Sequence, residues 1–230
     1  MRRTPRFTTR PIPGLARLAT TALLIVATAG CATQRQLPNV RASGNQAYYS
    51  GDYARALPNY QEYVNRKPED VQGRIDLART LLALDRASEA REQLVIAYDR
   101  EPDHPEVADL LARAMVEAGD PDRAERFLGN RAREGGRWED YVLLGRYNTL
   151  VGKPDEARVA LVTASRLAGR EHIEPQIALA DMFASVGDQQ REIERLRMAL
   201  WIDRDNPEVY RRLRSLGQIP GPTLALPPMD

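Results

Sequence analysis

Few side chains in this sequence could do chemistry. Cys31 is its one cysteine, and His104 and His172 are its two histidines. A disulfide needs two thiols, a zinc site needs three or four thiolates and imidazoles, and a nucleophilic pair needs a base beside its thiol or hydroxyl. The histidines stand apart, His104 just before Pro105 and His172 just before Pro175, both in links between helical segments. Carboxylates are abundant, but they alternate with arginines along charged segments and none sits in an apolar setting suited to acid–base work. No glycine-rich phosphate loop follows a strand. The expectation is a protein that is not an enzyme and has no cofactor and no metal site.

Charge narrows the partners. Arg2, Arg3, Arg6, Arg10 and Arg17 precede Leu18 with no acid among them, and without these five the chain carries 28 basic and 32 acidic side chains. A mildly acidic protein has no electrostatic attraction to nucleic acid. The basic segment runs into a short apolar stretch, Leu18 to Ala29, followed at once by Gly30 and Cys31. That stretch is about half the roughly 20 residues a permanent membrane helix needs, so residues 1–30 read as a signal peptide. Thr28-Ala29-Gly30-Cys31 resembles the lipobox of bacterial lipoproteins, with Thr28 where leucine is usual. The resemblance implies lipidation of Cys31, a lipid anchor and linker over residues 31–36, and membrane attachment through that lipid. Ala32 rather than aspartate next to the cysteine implies sorting to the outer membrane, facing the periplasm. The plainer alternative is a secretory signal with a chance cysteine.

The remaining candidates depend on the elements that hold them. A small residue recurs at Gly44, Ala78, Ala112, Gly145 and Ala180, in steps of 34, 34, 33 and 35. Seven residues after each comes a turn signal: Gly51-Asp52, Asp85-Arg86, Gly119-Asp120, Gly152-Lys153 and Gly187-Asp188. Ala56, Ala90, Ala124 and Ala157 follow, and then Tyr60, Leu94, Leu128 and Leu161. The small residue lets a second helix approach the first, and glycine at the turn permits the left-handed conformation that ends a helix. In the second copy Ala90, Leu94 and Ala97 form one apolar face, as do Leu77, Leu81 and Leu84. One helix pair cannot bury both faces, so neighbouring pairs must stack.

These residues resemble tetratricopeptide repeats. The implied fold is all-α, an α-solenoid of five helix-turn-helix repeats over residues 37–206, at about 37–70, 71–104, 105–137, 138–172 and 173–206. Arg214, where Ala112 stands in the third repeat, predicts a solvent-facing capping helix over residues 207–217. Residues 218–230, with Pro220, Pro222, Pro227 and Pro228, predict a Pro-rich extended tail pinned to the last helix by Leu224 and Leu226. Gly129 and Gly135-Gly136 predict a bend or loosened junction in the third repeat, and Glu192, where other repeats have alanine, predicts a displaced second helix in the fifth.

The resemblance also implies that the first helices line a concave groove for a protein or peptide partner. Asn45, Arg79, Arg113, Arg146 and Asp181 each follow the small residue and would face that groove. Three arginines in register could hold a carboxylate; equally, they could be salt-bridged within their helices, as Asp109 with Arg113. Five of nine tyrosines lie between positions 48 and 63. Tyr53, Tyr60 and Tyr63 read as core, and Tyr48 and Tyr49 as partner contacts. The layout is similar to the assembly lipoproteins of Flp/Tad and type IV pilus systems. That similarity implies a non-catalytic scaffold, lipid-anchored in the bacterial envelope, assisting assembly of a pilus or secretion complex. The alternative is an envelope adaptor recruiting a peptidoglycan enzyme or outer-membrane assembly machinery.

Overall fold

The computed structural model describes residues 35–221 and 223–228. The expected signal peptide and Cys31 lie outside the described residues. Among the described residues eleven helices follow one another: α1 (Leu37–Tyr49), α2 (Tyr53–Arg66), α3 (Val71–Leu82), α4 (Ala87–Arg100), α5 (Pro105–Glu117), α6 (Pro121–Gly135), α7 (Trp138–Leu150), α8 (Pro154–Ala168), α9 (Glu174–Ser185), α10 (Gln189–Ile202) and α11 (Pro207–Ser215). No strand occurs among the described residues. The architecture is an α-solenoid of helix-turn-helix repeats, α1–α2 through α9–α10, with α11 packed at the end.

Local chemistry sets the helix ends. Asp52, Asp70, Asp120 and Asp188 each accept a hydrogen bond from the backbone N–H three residues on, at 2.8–3.2 Å, and so cap α2, α3, α6 and α10. At the turn inside each repeat, Gly51, Gly119, Gly152 and Gly187 have φ between 75° and 85°; the second repeat uses Asp85 at φ 57° instead. The small residue of the first helix is a steric requirement. A Cβ on Gly44 would lie 2.9 Å from the Tyr60 ring, and one on Gly145 would overlap the Leu161 side chain.

The core follows the repeats. Ala56, Ala90, Ala124 and Ala157 are fully buried, as are Leu94 and Leu161, with Leu128 close behind. One apolar cluster runs through the first three repeats, a second joins α7, α8 and α9, and a third closes the end around Leu196, Leu200, Val209 and Leu213.

α6 runs unbroken through Gly129 to Gly135 and ends on Gly136 in the left-handed conformation. What opens beside Gly129 is a cleft of about 740 Å³ between α6, α7 and α8. Glu192 pairs with Arg212 of α11 at 3.0 Å, and α10 packs through Leu196 and Ala199. The tail is pinned chiefly to α10 rather than to α11. Leu226 N–H donates to the Arg197 carbonyl at 3.1 Å, and Arg197 Nε donates to the Leu224 carbonyl at 2.7 Å.

Candidate functional site

The first helices stand side by side, and charged side chains bridge them. Arg41 on α1 donates through Nη2 and Nε to Asp76 on α3, at 2.8 and 3.1 Å. Arg79 on α3 pairs with Glu106 on α5, and Asp181 on α9 pairs with Arg212 on α11 at 2.5 Å. Burial works against the charged form of Arg41, but the hydrogen bond and charge of Asp76 hold its guanidinium above the usual value; Glu192 and Asp181 do the same for Arg212. Each bridge ties one repeat to the next across the face where a partner is expected.

The arginines are therefore not equivalent. Arg79 is held by Glu106 and, at 3.8 Å, by Asp76. Arg113 pairs with Glu117 at 2.6 Å, not with Asp109. Arg146 is exposed and has no ion pair among the described residues. It lines a cavity of about 310 Å³ whose apolar side is Trp138, Val142 and Leu143.

At the other end of the face, Asn45, Tyr48, Tyr49 and Arg79 come together around a smaller cavity of about 140 Å³, with Arg41 and Asp76. Tyr48 meets Tyr49 and Tyr53 edge-on, at 5.7 and 5.3 Å between ring centres. Burial raises the Tyr48 hydroxyl pKa, while nearby Arg79 and Arg113 pull it down. Tyr49 is 83% exposed, an unusual setting for an aromatic ring. Tyr60 and Tyr63 are buried, and the Tyr60 hydroxyl donates to Asn45 Oδ1 at 2.8 Å, so that amide oxygen is already engaged. The site residues thus fall into a tyrosine-rich pocket at one end, Arg146 beside an apolar cavity farther along, and Arg113 and Asp181 in neither.

Arg41, Asp76 and Gln72, which donates to Asp76 at 3.1 Å, were not picked out from the sequence. The available signal is spacing, since Arg41 and Asp76 stand about one repeat apart. Both histidines have structural partners: His104 accepts from the Glu106 N–H at 3.3 Å, and His172 stacks on Trp138 at 4.6 Å. Among the described residues, no three His, Cys, Asp or Glu side chains gather as a metal site, and no helix is long and apolar enough to cross a membrane.

Comparison with known proteins agrees with this architecture. Residues 47–97 and 105–130 each match a family model described as tetratricopeptide repeat. A curated relative, the TPR repeat-containing thioredoxin TTL4 of Arabidopsis thaliana, is 29% identical over 143 residues, which is 62% of this chain and 20% of that protein. The chain thus spans about a fifth of that relative's length, and its single cysteine cannot supply a paired-thiol redox motif. Among solved structures, TTC0263, a thermophilic TPR protein of Thermus thermophilus, covers 79% of this chain and 98% of its own at 24% identity, with TM-score 0.56. The MamA fragment of Desulfovibrio magneticus RS-1 covers 76% and 99% at 16% identity, with TM-score 0.50. The chain is built as an α-solenoid of tetratricopeptide-like repeats, an architecture that serves protein–protein interaction and is typically non-catalytic.

Proposed function

We propose that this protein is a non-catalytic scaffold, lipid-anchored through Cys31 at the periplasmic face of a bacterial outer membrane, which holds a protein segment against its first helices and assists assembly of a pilus or secretion complex. The observation that carries the binding reading is the contrast along that face. Arg41, Arg79 and Asp181 are neutralised by partners on neighbouring helices, whereas Tyr49 is exposed and Arg146 is exposed with no ion pair among the described residues. Exposed aromatic and arginine side chains dominate the energetics of protein interfaces. Such a segment brings an apolar residue to Tyr48 and Tyr49 and a carboxylate to Arg146. Because Arg79 and Arg113 already have carboxylate partners, they contribute less than the in-register ladder suggests.

Two experiments test this reading. Palmitate labelling of the expressed protein is expected to succeed and to vanish in Cys31→Ala; failed labelling, or labelling that survives the change, removes the anchor. Crosslinking from positions 49 and 146 followed by mass spectrometry identifies the partner. A pilin, secretin or secretion component supports the assembly role, and a peptidoglycan enzyme or outer-membrane assembly factor moves the assignment to the adaptor alternative.

A further inference from the structure

Each arginine that directly follows the small residue of a first helix has a glutamate in a matching place, six residues before the small residue of the next repeat. Arg79 and Glu106 hold these places at the step from the second repeat to the third, Arg113 and Glu139 at the next step, and Arg146 and Glu174 at the one after. The step from the first repeat to the second carries a neutral polar pair there, Asn45 and Gln72. A glutamate in the first turn of a helix is favourable by itself, but that does not set an arginine against each one.

One of these three rungs is closed: Arg79 pairs with Glu106. Arg113 turns along its own helix to Glu117, at 2.6 Å, and Glu139 has no ion pair among the described residues. Arg146 and Glu174 are both exposed and both line the cavity of about 310 Å³, yet neither has an ion pair among the described residues. Asp109 on α5 also lacks one, but it belongs to no rung, since Arg41, Ile75, Val142 and Ile177 hold its place in the other repeats. Exposed ion pairs hold weakly, and exposed side chains change rotamer in picoseconds to nanoseconds, so an open rung of this kind can close.

We propose that Glu139 and Glu174 are internal counterions of Arg113 and Arg146: both rungs are poised to close as Arg79 and Glu106 have, and a partner's carboxylate must displace them to reach the arginines. The competition rests on the reading that the first-helix face binds a partner; the rungs themselves do not. Closed, they tie the third, fourth and fifth repeats together as Arg79 ties the second to the third. Open, they free the guanidinium groups that a partner engages. Removing the internal acid therefore strengthens partner binding, although it removes a charged residue from the binding face.

Phenylglyoxal, which attacks free guanidinium groups, is applied to the full chain, and the rate at each arginine is read by peptide mass spectrometry. Glu106→Gln is expected to speed modification of Arg79, which calibrates a closed rung. Glu174→Gln is expected to speed Arg146 about two- to fivefold and to leave Arg113 unchanged. Glu139→Gln is expected to speed Arg113 and not Arg146, even though Glu139 lines the same cavity as Arg146. In photocrosslinking from position 49, Glu174→Gln is expected to raise the partner's yield by a similar factor. An unchanged rate at Arg146 in Glu174→Gln, equal acceleration of Arg146 by either change, or a partner yield that stays level or falls overturns the proposal. Capture of no partner by the parent chain refutes the binding face and the competition with it, while the rates still decide whether the rungs close.

Discussion

Changing Asp140 to leucine strips its carboxylate from the buried guanidinium of Arg131. Arg131 Nε donates to Asp140 Oδ1 at 2.6 Å, and the two side chains are only 7% and 2% exposed. The same guanidinium reaches back to the second repeat, donating to the Pro102 carbonyl at 2.5 Å and to the Tyr98 hydroxyl at 3.2 Å. One buried pair therefore joins the second, third and fourth repeats. Removing one member of such a pair leaves a charge in a poorly solvated place and costs about 3–5 kcal/mol. That is a large part of the roughly 5–15 kcal/mol typical of a folded domain. Arg131→Met is expected to cost less, about 1–3 kcal/mol, because Asp140 keeps Arg137, whose Nε lies 3.1 Å away and which is 37% exposed. The double change Arg131→Met with Asp140→Leu replaces the pair by apolar groups and is expected within about 1 kcal/mol of the parent. Urea unfolding followed by far-ultraviolet circular dichroism measures all three. The reasoning fails if Asp140→Leu costs less than about 1 kcal/mol, or if the double variant loses the sum of the single losses.

Other perturbations separate further causes. Burial would raise the Asp70 carboxyl, but hydrogen bonds from Lys67, the Gly73 N–H and Tyr63 bring it down to about 2. An unfolded aspartate titrates near 3.9, so this stabilisation is complete above about pH 5 and is lost as pH falls through about 3.9 toward 2. Asp70→Asn should therefore cost about 1–2 kcal/mol at pH 7 and flatten the acid limb of a stability profile. Two helix-interior glycines should respond to alanine with opposite signs. Gly145→Ala drives a Cβ into Leu161 and loses about 1–3 kcal/mol, while Gly129→Ala makes only an ordinary contact with the Arg133 guanidinium, at 3.5 Å, and gains up to about 1 kcal/mol, both read from thermal and urea unfolding. Asp85→Gly relieves the one non-glycine residue with positive φ among the described residues and should gain about 0.5–1 kcal/mol; a loss in melting temperature would contradict that account.

The repeat register was legible because packing imposes it one residue at a time. Gly44 and Gly145 must be small to admit Tyr60 and Leu161, and the turn glycines must reach positive φ, so a period of about 34 residues survives in an otherwise variable chain. Contacts between repeats were harder to read. Arg131 looks like one more charge on a charged helix, and its partner becomes apparent only when the end of α6 is set against the start of α7. Helical spacing points Arg113 to Asp109 at i−4 or to Glu117 at i+4, and the latter holds it. It says nothing of Arg41 with Asp76 or Arg79 with Glu106, 35 and 27 residues apart, which meet because stacking sets the first helices of neighbouring repeats against one another. Gly129 stood out as a weak point, but whether it bends a helix or widens a cleft depends on neighbours the local sequence does not name.

The central claim is that the face of the first helices, at Tyr49 and Arg146, holds a specific protein partner. Its most direct measurement is photocrosslinking in the native envelope from residues placed at 49, at 146 and at exposed Glu92 on α4, with each adduct identified by mass spectrometry. The account predicts one shared partner at 49 and 146, absent at 92, and lost from position 49 when Arg146→Glu is introduced. The same set of proteins at all three positions, or a partner retained at full yield in Arg146→Glu, would contradict it.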